Sequence, residues 1–448
     1  MKVIVDSWAW LDKASLSELQ LARLRTTLTV VPRKAPEYPG EDPGPLYLYT
    51  ETPDLFGVAR EYFLANKKPN HEYVLNVSGG DKSTWPGDLT FSGKLREEQA
   101  CAIAEISGRF KHGGLLGGML KAAPGWGKTV ASSALIAEMQ VPTLVVVHKE
   151  FLMAQWRERL EAFLPGVKLG LVQQDECTYL GCHVVMAMVH TLANKTFPEK
   201  FIRWPGLVIT DECHRTGAKT WSVVPAKFPA RWRLGITATP RRKDGAEKVF
   251  QYHLGEILFS ATEQRLKPKI RRVHTTFQVM KTPNFNPALM NKSILLKFLC
   301  ANQLRNRVVA MQVVMALQAG RKVLVLSERL NHLEALHKEI EVQWGTAAGP
   351  CPGIDYYVGG RKELELARAS KARVILATSQ YAQEGLDIPA LDTLVLSTPL
   401  SDVEQAVGRI LRPFEGKKDP IVVDIRDDKV GMFRSLGTKR DVIYQRMT

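Results

Sequence analysis

Residues 122–129 read AAPGWGKT, and this stretch decides the fold that the rest of the chain must complete. It has the eight-residue spacing of a phosphate-binding loop, with Ala122 where the first glycine usually stands. Small residues let successive backbone N–H groups turn toward phosphates, and the N-terminus of the following helix adds positive potential. Lys128 is then placed to neutralise phosphate charge, and Thr129 to ligate Mg²⁺. We expect the bulky Trp126 to point outward and assign it no role.

Two adjacent carboxylates, Asp211 and Glu212, follow the apolar run at residues 207–209. A strand that ends in this way places the first carboxylate at the sheet edge beside the phosphate loop, where it can hold Mg²⁺. The second can orient and deprotonate the attacking water. Acidic pairs at strand ends are common on surfaces, and glycine-rich turns also serve packing, but their order here favours a nucleotide site. We expect Cys213 and His214 to couple this site to neighbouring motifs.

Two arginines in the segment QAVGRILRP at residues 405–413, Arg409 and Arg412, are three positions apart. This spacing predicts that both lie on one helix face. Arginine supplies the charge compensation that phosphoryl transfer requires. Most pairs of this kind are solvated helix faces, so the interpretation depends on their position behind the other two motifs.

Short β-branched runs alternate with amphipathic segments from residue 95 onward, which predicts parallel α/β sheets. The alternation pauses at a basic, proline-containing stretch, residues 255–290, and then resumes. Two tandem α/β domains fit this pattern better than one large sheet. The predicted strands are residues 144–147, 184–186, 207–209, 234–236, 323–326, 374–376, 394–396 and 421–423.

The N-terminal residues follow a different pattern. A strand-like start at residues 3–5 precedes a helix predicted from Ser15, and the proline-rich residues 32–54 predict a loop or extended segment. A turn-rich stretch at residues 78–88 marks a boundary before residue 95. We expect a small α+β accessory domain at residues 1–90.

Composition restricts the class of protein. The chain has 448 residues, 45% apolar and 24% charged, as in globular proteins that fold into more than one domain. Its 61 Lys and Arg outnumber 46 Asp and Glu, for a net charge of +15. The N-terminal 94 residues are nearly neutral, so the excess sits in the body and indicates a polyanionic partner. A role in solubility alone is the alternative.

The six cysteines are scattered and do not form a disulfide framework. Cys177, Cys182 and His183 have no second ligand pair at zinc spacing, so we expect free thiols. No apolar run is long enough for a signal peptide or a membrane span. We therefore expect a protein of the reducing cytoplasm, bacterial or phage-infected, without a membrane partner.

In their order, the motifs resemble those of superfamily 2 DExH-box helicases, in the branch that includes XPB-like, type I and type III restriction-motor and phage UvsW-type branch-migration enzymes. The resemblance covers roughly residues 90–430. The matching segments besides the phosphate loop are LREEQ at 95–99 (adenine-reading), LVVVHKEFLMAQW at 144–156 (motif Ia), AMVHTL at 187–192 (Ib), DECH at 211–214 (the DExH box), TATPRR at 237–242 (III), VLVLSER at 323–329 (IV), TSQYAQEGLD at 378–387 (V) and QAVGRILR at 405–412 (VI).

The resemblance implies two RecA-like domains, at residues 91–265 for ATP binding and 266–448 for the helicase C-terminal part. Residues 1–90 contain no matching motif, and because they are nearly neutral we expect this accessory domain to contact protein or to recognise DNA structure rather than bulk phosphate. The resemblance also implies ATP and Mg²⁺ as cofactors, with Lys128, Glu212, Arg409 and Arg412 catalytic and Thr129 and Asp211 on the metal. Residues expected at the nucleotide are Gln99, Gly125, Gly127, Lys128, Thr129, Gly385 and Asp387.

A motor must grip the nucleic-acid backbone without reading bases, so basic and hydroxyl groups at strand ends are candidates. Exposed Lys and Arg are also ordinary surface residues, which leaves each contact open. The candidates are Lys149, His190, Thr191, Arg361, Lys362, Thr378 and Ser379.

The expected activity is that of an ATP-dependent DNA helicase or translocase. The expected partner is single-stranded, forked or branched DNA, in branch migration, recombination, replication or repair, with the chain acting as a monomer. A double-strand translocase of a restriction-type system that does not unwind, and an RNA helicase, stay as alternatives. The segment VHKE at 147–150 departs from the Pro-Thr-Arg-Glu of DEAD-box RNA helicases, and this difference weakens the RNA helicase alternative. A scaffold with a degenerate ATPase is disfavoured because the nucleotide-site residues are present.

Overall fold

The chain is described by a computed structural model that covers residues 2–32, 44–67, 72–123, 125–214, 224–238, 245–261, 266–280, 290–345, 351–361, 363–379, 381, 388–401, 403–412, 414 and 416–447. It divides into two compact units, Met1–Glu263 and Gln264–Thr448. Each unit contains a largely parallel sheet, and the first also holds a separate N-terminal sheet. The predicted α/β fold class is confirmed.

The described N-terminal residues form strands β1–β7, two α-helices and a short 3-10 helix at Lys13–Ser15, in the α+β arrangement that was predicted. The main sheet has the order β5-β6-β2-β1-β7 and is antiparallel except for the β1–β7 pair. The elements are β1 (Lys2–Val5), β2 (Trp8–Asp12), α1 (Glu18–Thr27), β3 (Thr29–Val30), β4 (Leu46–Tyr47), β5 (Tyr49–Glu51), β6 (Leu55–Ala59), α2 (Arg60–Asn66) and β7 (Glu72–Leu75).

One prediction for this part needs correction. Helix α1 begins at Glu18 rather than Ser15, because Ser17 forms a capping box with Gln20 and fixes the helix start there. The proline-rich segment at 32–54 was predicted as loop or extended, and its described residues include the short extended strands β4 and β5. No proline lies within β4 or β5, so every residue of these two strands keeps a backbone N–H that can pair.

The first parallel sheet has the order β11-β10-β12-β9-β13-β14-β8-β15, and only the β10–β11 pair is antiparallel. Its central strands are buried on both faces, as their continuous apolar runs require. The elements are α3 (Glu97–Lys111), β8 (Gly117–Lys121), α4 (Lys128–Met139), β9 (Thr143–Val147), α5 (Glu150–Phe163), β10 (Leu169–Gln173), β11 (Glu176–Thr178), β12 (Val184–Met188), α6 (Val189–Asn194), α7 (Glu199–Ile202), β13 (Leu207–Asp211), β14 (Trp232–Thr237), α8 (Glu247–Leu254) and β15 (Ile257–Ser260).

The N-terminal sheet shares its core with the first parallel sheet. Ala246 and Val249 at the start of α8 belong to the same apolar cluster as Val3, Val5 and other N-terminal residues. Arg60 is fully buried and donates to the carbonyls of Ala230 and Leu116, which precede β14 and β8. The two sheets therefore form one folded unit.

The second unit is built on a parallel sheet of order β16-β21-β20-β17-β19-β18. The elements are β16 (Lys269–His274), α9 (Lys292–Ala301), α10 (Gln303–Gln318), β17 (Val323–Ser327), α11 (Leu330–Gly345), β18 (Ile354–Tyr357), α12 (Glu363–Lys371), β19 (Val374–Thr378), β20 (Thr393–Leu396), α13 (Glu404–Ile410), β21 (Ile421–Arg426) and α14 (Gly431–Met447).

All eight predicted strands are present, but the predicted pause at 255–290 is wrong. Strands β15 and β16 lie in that stretch, each on the edge of its sheet. Edge strands with charged residues lack the apolar run by which buried strands are recognised, and Lys269, Arg271 and Arg272 of β16 are all exposed. Within the described ranges, no helix is long and apolar enough to cross a bilayer.

Candidate nucleotide and nucleic-acid site

The nucleotide motifs meet at one edge of the first parallel sheet. Strand β14 pairs in parallel with both β8 and β13, so the carboxyl ends of all three strands lie side by side. The phosphate loop leaves the end of β8, and Asp211 closes β13. Ligands bind at this edge in open parallel sheets, and the fold brings Lys128 and Asp211 to it although they are 83 positions apart in the sequence.

The loop backbone is shaped by glycine at the start of α4. Gly127 is the N-cap of α4 and has φ 92°, in the left-handed region that favours glycine. A Cβ atom at this position would lie 2.5 Å from the Gln99 side-chain nitrogen. Gly125 also has a positive φ, 83°. The loop before α4 therefore has a conformation that favours glycine at positions 125 and 127. Helix α4 follows it, and Lys128 and Thr129 are the first two residues of the helix.

Gln99 contacts the loop through its side-chain amide. Its Nε2 donates to the Trp126 carbonyl at 2.8 Å, and its Oε1 accepts from the Arg96 backbone N–H at 2.9 Å. The Arg96 guanidinium also donates to the Trp126 carbonyl. The predicted adenine-reading segment is thus attached to the phosphate loop, and the contact of Gln99 with a base stays a prediction.

Trp126 does not point outward, and that expectation is wrong. Its side chain is 7% exposed and packs into the main core of the first unit. The indole Nε1 donates to Glu98 Oε2 at 2.6 Å. An indole is buried readily when its N–H finds an acceptor, and here Glu98, in the first turn of α3, supplies that acceptor from 28 residues earlier in the sequence.

Lys128 and Glu212 approach each other at the sheet edge. Lys128 Nζ lies 3.6 Å from Glu212 Oε1 and donates to the Ala122 carbonyl at 3.1 Å. Both side chains are largely buried, at 11% and 19% exposure. Glu212 has a left-handed backbone, φ 45°, which is uncommon outside glycine and marks functional sites.

Asp211 is buried and held by a tryptophan. Trp156 Nε1, on α5, donates to Asp211 Oδ2 at 2.8 Å. Burial, and next the charge of Glu212, raise the pKa of Asp211 to about 6. Carboxylate and hydroxyl oxygens are the ligands that Mg²⁺ prefers. The donor set of Asp211 and Thr129 therefore fits that ion.

His214 links the carboxylate pair to the end of β14. Its Nδ1 is hydrogen-bonded to the Thr237 hydroxyl at 2.6 Å and lies 3.4 Å from Glu212 Oε2. Thr237 is the first residue of the TATPRR segment, so the contact joins two predicted motifs. Cys213 packs instead against Met119 in a small apolar cluster. The remainder of TATPRR, residues 239–242, lies outside the described residues.

The predicted nucleic-acid residues of the first unit follow two neighbouring strands. Strands β9 and β12 pair in parallel, with Met188 opposite Val147. Lys149 is the N-cap of α5 just after β9, and His190 and Thr191 open α6 just after β12. The three residues therefore share one edge of the sheet. The Thr191 hydroxyl accepts from the Gln174 backbone N–H at 3.3 Å.

In the second unit, Thr378 ends β19 and Ser379 follows it as a buried residue. Arg361 lies 3.4 Å from Asp355 and its guanidinium stacks over the Tyr356 ring. The other residues predicted near these positions, Lys362, Gly385 and Asp387, lie outside the described residues.

The prediction that Arg409 and Arg412 lie on one helix face is wrong. Helix α13 ends at Ile410, so Arg409 is in its last turn and Arg412 lies beyond it. The residue before a proline is disfavoured in helical geometry, and position 413 is proline. Burial lowers the pKa of Arg412 to about 10, and its role toward a nucleotide stays a prediction.

Sequence reasoning missed two residues of the site, Trp156 and Glu98. Trp156 follows the apolar helical spacing of α5, which indicates a core residue and gives no sign of a polar partner. Glu98 stands in the first turn of α3, where acidic residues are common because of the helix dipole. Only the tertiary structure shows that Trp156 binds Asp211 and that Glu98 binds Trp126, because the two partners in each pair are far apart in the sequence.

Comparison with known proteins gives a consistent set of relatives. The family described as type III restriction enzyme, res subunit, matches residues 92–242. A candidate ATP-dependent RNA helicase of Acanthamoeba polyphaga mimivirus is 29% identical over 97% of this chain and 83% of that protein. A candidate ATP-dependent RNA helicase of African swine fever virus is 24% identical over 68% of this chain. The match covers about 64% of the length of that viral protein.

A solved structure shares the fold. The fragment of a candidate HsdR subunit of a type I restriction enzyme from Vibrio vulnificus aligns with 78% of this chain and 66% of its own, at 17% identity and a TM-score of 0.57. Together these matches confirm the resemblance of this chain to superfamily 2 helicases, in the branch that includes the motor subunits of restriction enzymes.

Proposed function

We propose that this chain is an ATP-dependent DNA helicase or translocase that remodels forked or branched DNA in replication, recombination or repair. The observation that carries the proposal is the meeting of Lys128, Glu212 and Asp211 at the carboxyl edge of the sheet. That edge belongs to the segment that matches the restriction-enzyme res family. Lys128 can bind the phosphates of a nucleoside triphosphate, Glu212 can activate the attacking water, and Asp211 can hold a metal ion.

In the proposed mechanism, the loop N–H groups and Lys128 bind the β- and γ-phosphates. Glu212 takes a proton from the water that attacks the γ-phosphorus, so that the O–P bond to water forms while the bond to ADP breaks. Thr129 and Asp211 would hold Mg²⁺, which supplies neutralisation of phosphate charge when bound. Arg409 and Arg412 are proposed to compensate charge on the transferring group.

The proposed DNA contacts are Lys149, His190 and Thr191 in the first unit and Arg361, Thr378 and Ser379 in the second, together with Lys362. The domain limits at residues 1–90, 91–265 and 266–448 are likewise part of the proposal. They are supported by the separate N-terminal sheet and by the two parallel sheets. The N-terminal part is proposed to recognise DNA structure rather than bulk phosphate, because it is nearly neutral.

A second candidate is RNA unwinding, which is favoured by the names of the viral relatives. DNA is favoured by the match to a restriction-enzyme subunit, because restriction enzymes act on DNA. The excess of basic residues, +15 over the chain, suits either polyanion and does not separate them.

The test is ATPase activity and strand displacement with forked DNA, plain duplex DNA, single-stranded DNA and RNA at one fixed salt concentration. We expect forked or branched DNA to stimulate ATP hydrolysis most and to be unwound. Stimulation by duplex DNA without strand displacement would support the non-unwinding translocase, and stimulation by RNA alone would overturn the DNA assignment.

Lys128→Ala is the control variant for this experiment. We expect it to lose ATP hydrolysis on every substrate by at least about a hundredfold, because the phosphates lose their cation. Substantial hydrolysis by Lys128→Ala would place the nucleotide site elsewhere. Lys111→Ala, on the exposed end of α3, is a matched substitution that should hydrolyse ATP like the unmodified chain.

A further inference from the structure

Helix α5 connects a predicted nucleic-acid contact with a predicted metal ligand. Its N-cap is Lys149, and Trp156 lies two turns further along. At that position the indole Nε1 donates to Asp211 Oδ2 at 2.8 Å, across 55 residues of sequence. One rigid element therefore reaches from the DNA-facing strand ends to the carboxylate at the end of β13.

The contact is enclosed. Trp156 is 1% exposed and Asp211 is 8% exposed, so water does not compete for the bond. The indole belongs to the same apolar cluster as Val145 and Ile209, which are paired residues of the adjacent strands β9 and β13. Leu152, Met153 and Leu160 bury the same face of α5. The N–H is thus aimed by the packing of the whole helix, and it moves only if α5 moves.

The bond fixes which way the carboxylate faces. Asp211 Oδ2 accepts the Trp156 N–H, and a backbone N–H of Glu212 also donates to the carboxylate, so the indole is one of the donors that orient it. Groups that hold the ligands of a metal in this way commonly change metal affinity when they are removed. A shift of α5 by a fraction of an ångström would change the hold on Asp211, because packed cores transmit displacement rather than absorb it.

We propose that Trp156 is a positioning residue that orients Asp211 and couples DNA binding at the start of α5 to the ATP site. The inference rests on the proposed function, since Asp211 must serve the metal. The indole N–H takes no part in the reaction. When DNA binds at Lys149 and its neighbours, α5 settles in the position in which the indole orients the Asp211 carboxylate toward the metal.

The test replaces the indole by a phenyl ring, in Trp156→Phe. Calorimetry then measures how much Mg²⁺ increases the affinity for ADP, and steady-state assays measure how much forked DNA stimulates ATP hydrolysis. We expect both enhancements to fall by roughly tenfold, in the range seen when a supporting hydrogen bond to a metal ligand is lost. Affinity for ADP without Mg²⁺ should be unchanged.

Trp204→Phe is the matched control. Trp204 is also 1% exposed in the first unit, and its indole nitrogen has no hydrogen-bond partner within the part of the chain that the structure describes. It should match the unmodified chain in both enhancements, although it loses the same ring volume. An effect of Trp204→Phe equal to that of Trp156→Phe would assign the effect to packing and overturn the proposal.

Trp156→His tests the N–H itself, because imidazole is smaller than phenyl in apolar volume but keeps a ring donor. Recovery of the Mg²⁺ enhancement relative to Trp156→Phe supports the positioning role. Equal enhancements in Trp156→Phe and the unmodified chain would refute it, whatever Lys128→Ala shows. Hydrolysis by Lys128→Ala would instead refute the proposed function, so the two failures are distinguishable.

Discussion

At the residue scale, the conformation of Glu212 depends on its position immediately after a buried strand. Its φ of 45° turns the chain sharply after Asp211, so that adjacent side chains serve different partners. Glu212 faces Lys128 and His214, while Asp211 faces Trp156. Left-handed geometry at a non-glycine residue costs on the order of 1 kcal/mol, and here it separates two neighbouring carboxylates.

Glu212→Gln should keep ATP affinity and lose turnover by about a hundredfold or more, because an amide cannot accept the proton from water. Calorimetry with ATP and a single-turnover assay separate binding from chemistry. Glu138→Gln, which changes an exposed partner of Lys111, should hydrolyse ATP normally. A Glu212→Gln variant with an unchanged single-turnover rate would show that another group is the base.

At the element scale, α2 attaches the N-terminal sheet to the first parallel sheet. Arg60 begins this helix, is fully buried, and is paired with Glu61 at 2.8 Å. Its guanidinium also donates to the Ala230 carbonyl at 2.7 Å and the Leu116 carbonyl at 3.2 Å. A helix of seven residues has little stability of its own, so these bonds and the apolar core hold it in place.

Arg60→Met should lower the free energy of unfolding of the first unit by about 3–5 kcal/mol, because Glu61 becomes a buried charge without its partner. Urea denaturation followed by tryptophan fluorescence measures the loss. Arg25→Met removes an exposed partner of Glu51 and should have little effect. A small loss for Arg60→Met would mean that α2 is attached by its apolar face alone.

At the scale of the whole molecule, each unit contains a histidine that burial keeps neutral. Burial, and next the charges of Arg233 and Arg60, lower the pKa of His253 to about 3 in the first unit. Its ring also packs edge-on against Trp8, in the N-terminal sheet. Burial, and next the charge of Arg305, lower the pKa of His332 to about 3 in the second unit.

These lowered pKa values predict how stability changes with pH. Below the ordinary histidine value of about 6.5, the unfolded chain binds a proton at each position and the folded chain does not. Stability should therefore fall as pH decreases from about 6.5 toward 3, by up to about 1.4 kcal/mol per unit for each histidine.

His253→Leu should flatten this dependence for the first unit, and His332→Leu should flatten it for the second. Scanning calorimetry between pH 8 and pH 5 gives the slope of each transition. The two variants act as controls for each other, since each should alter a different unit. An unchanged slope in His253→Leu would show that other groups take up the protons on unfolding.

The sequence by itself determined the features whose parts are close along the chain. The phosphate loop, the Asp211–Glu212 pair and the eight buried strands are encoded by consecutive residues, because backbone geometry and apolar runs are local. It also predicted the α/β class, because alternating strands and helices leave parallel sheets as the packing that buries both faces.

Only the tertiary structure decided which distant groups meet. The bond between Trp156 and Asp211, the burial of Trp126 against Glu98, and the attachment of the N-terminal sheet through Arg60 join segments far apart in sequence. The sequence around an aromatic or charged residue looks the same whether its side chain is buried in a core, exposed on the surface or hydrogen-bonded to a distant residue. The choice is made by long-range packing, which no periodicity in the chain records.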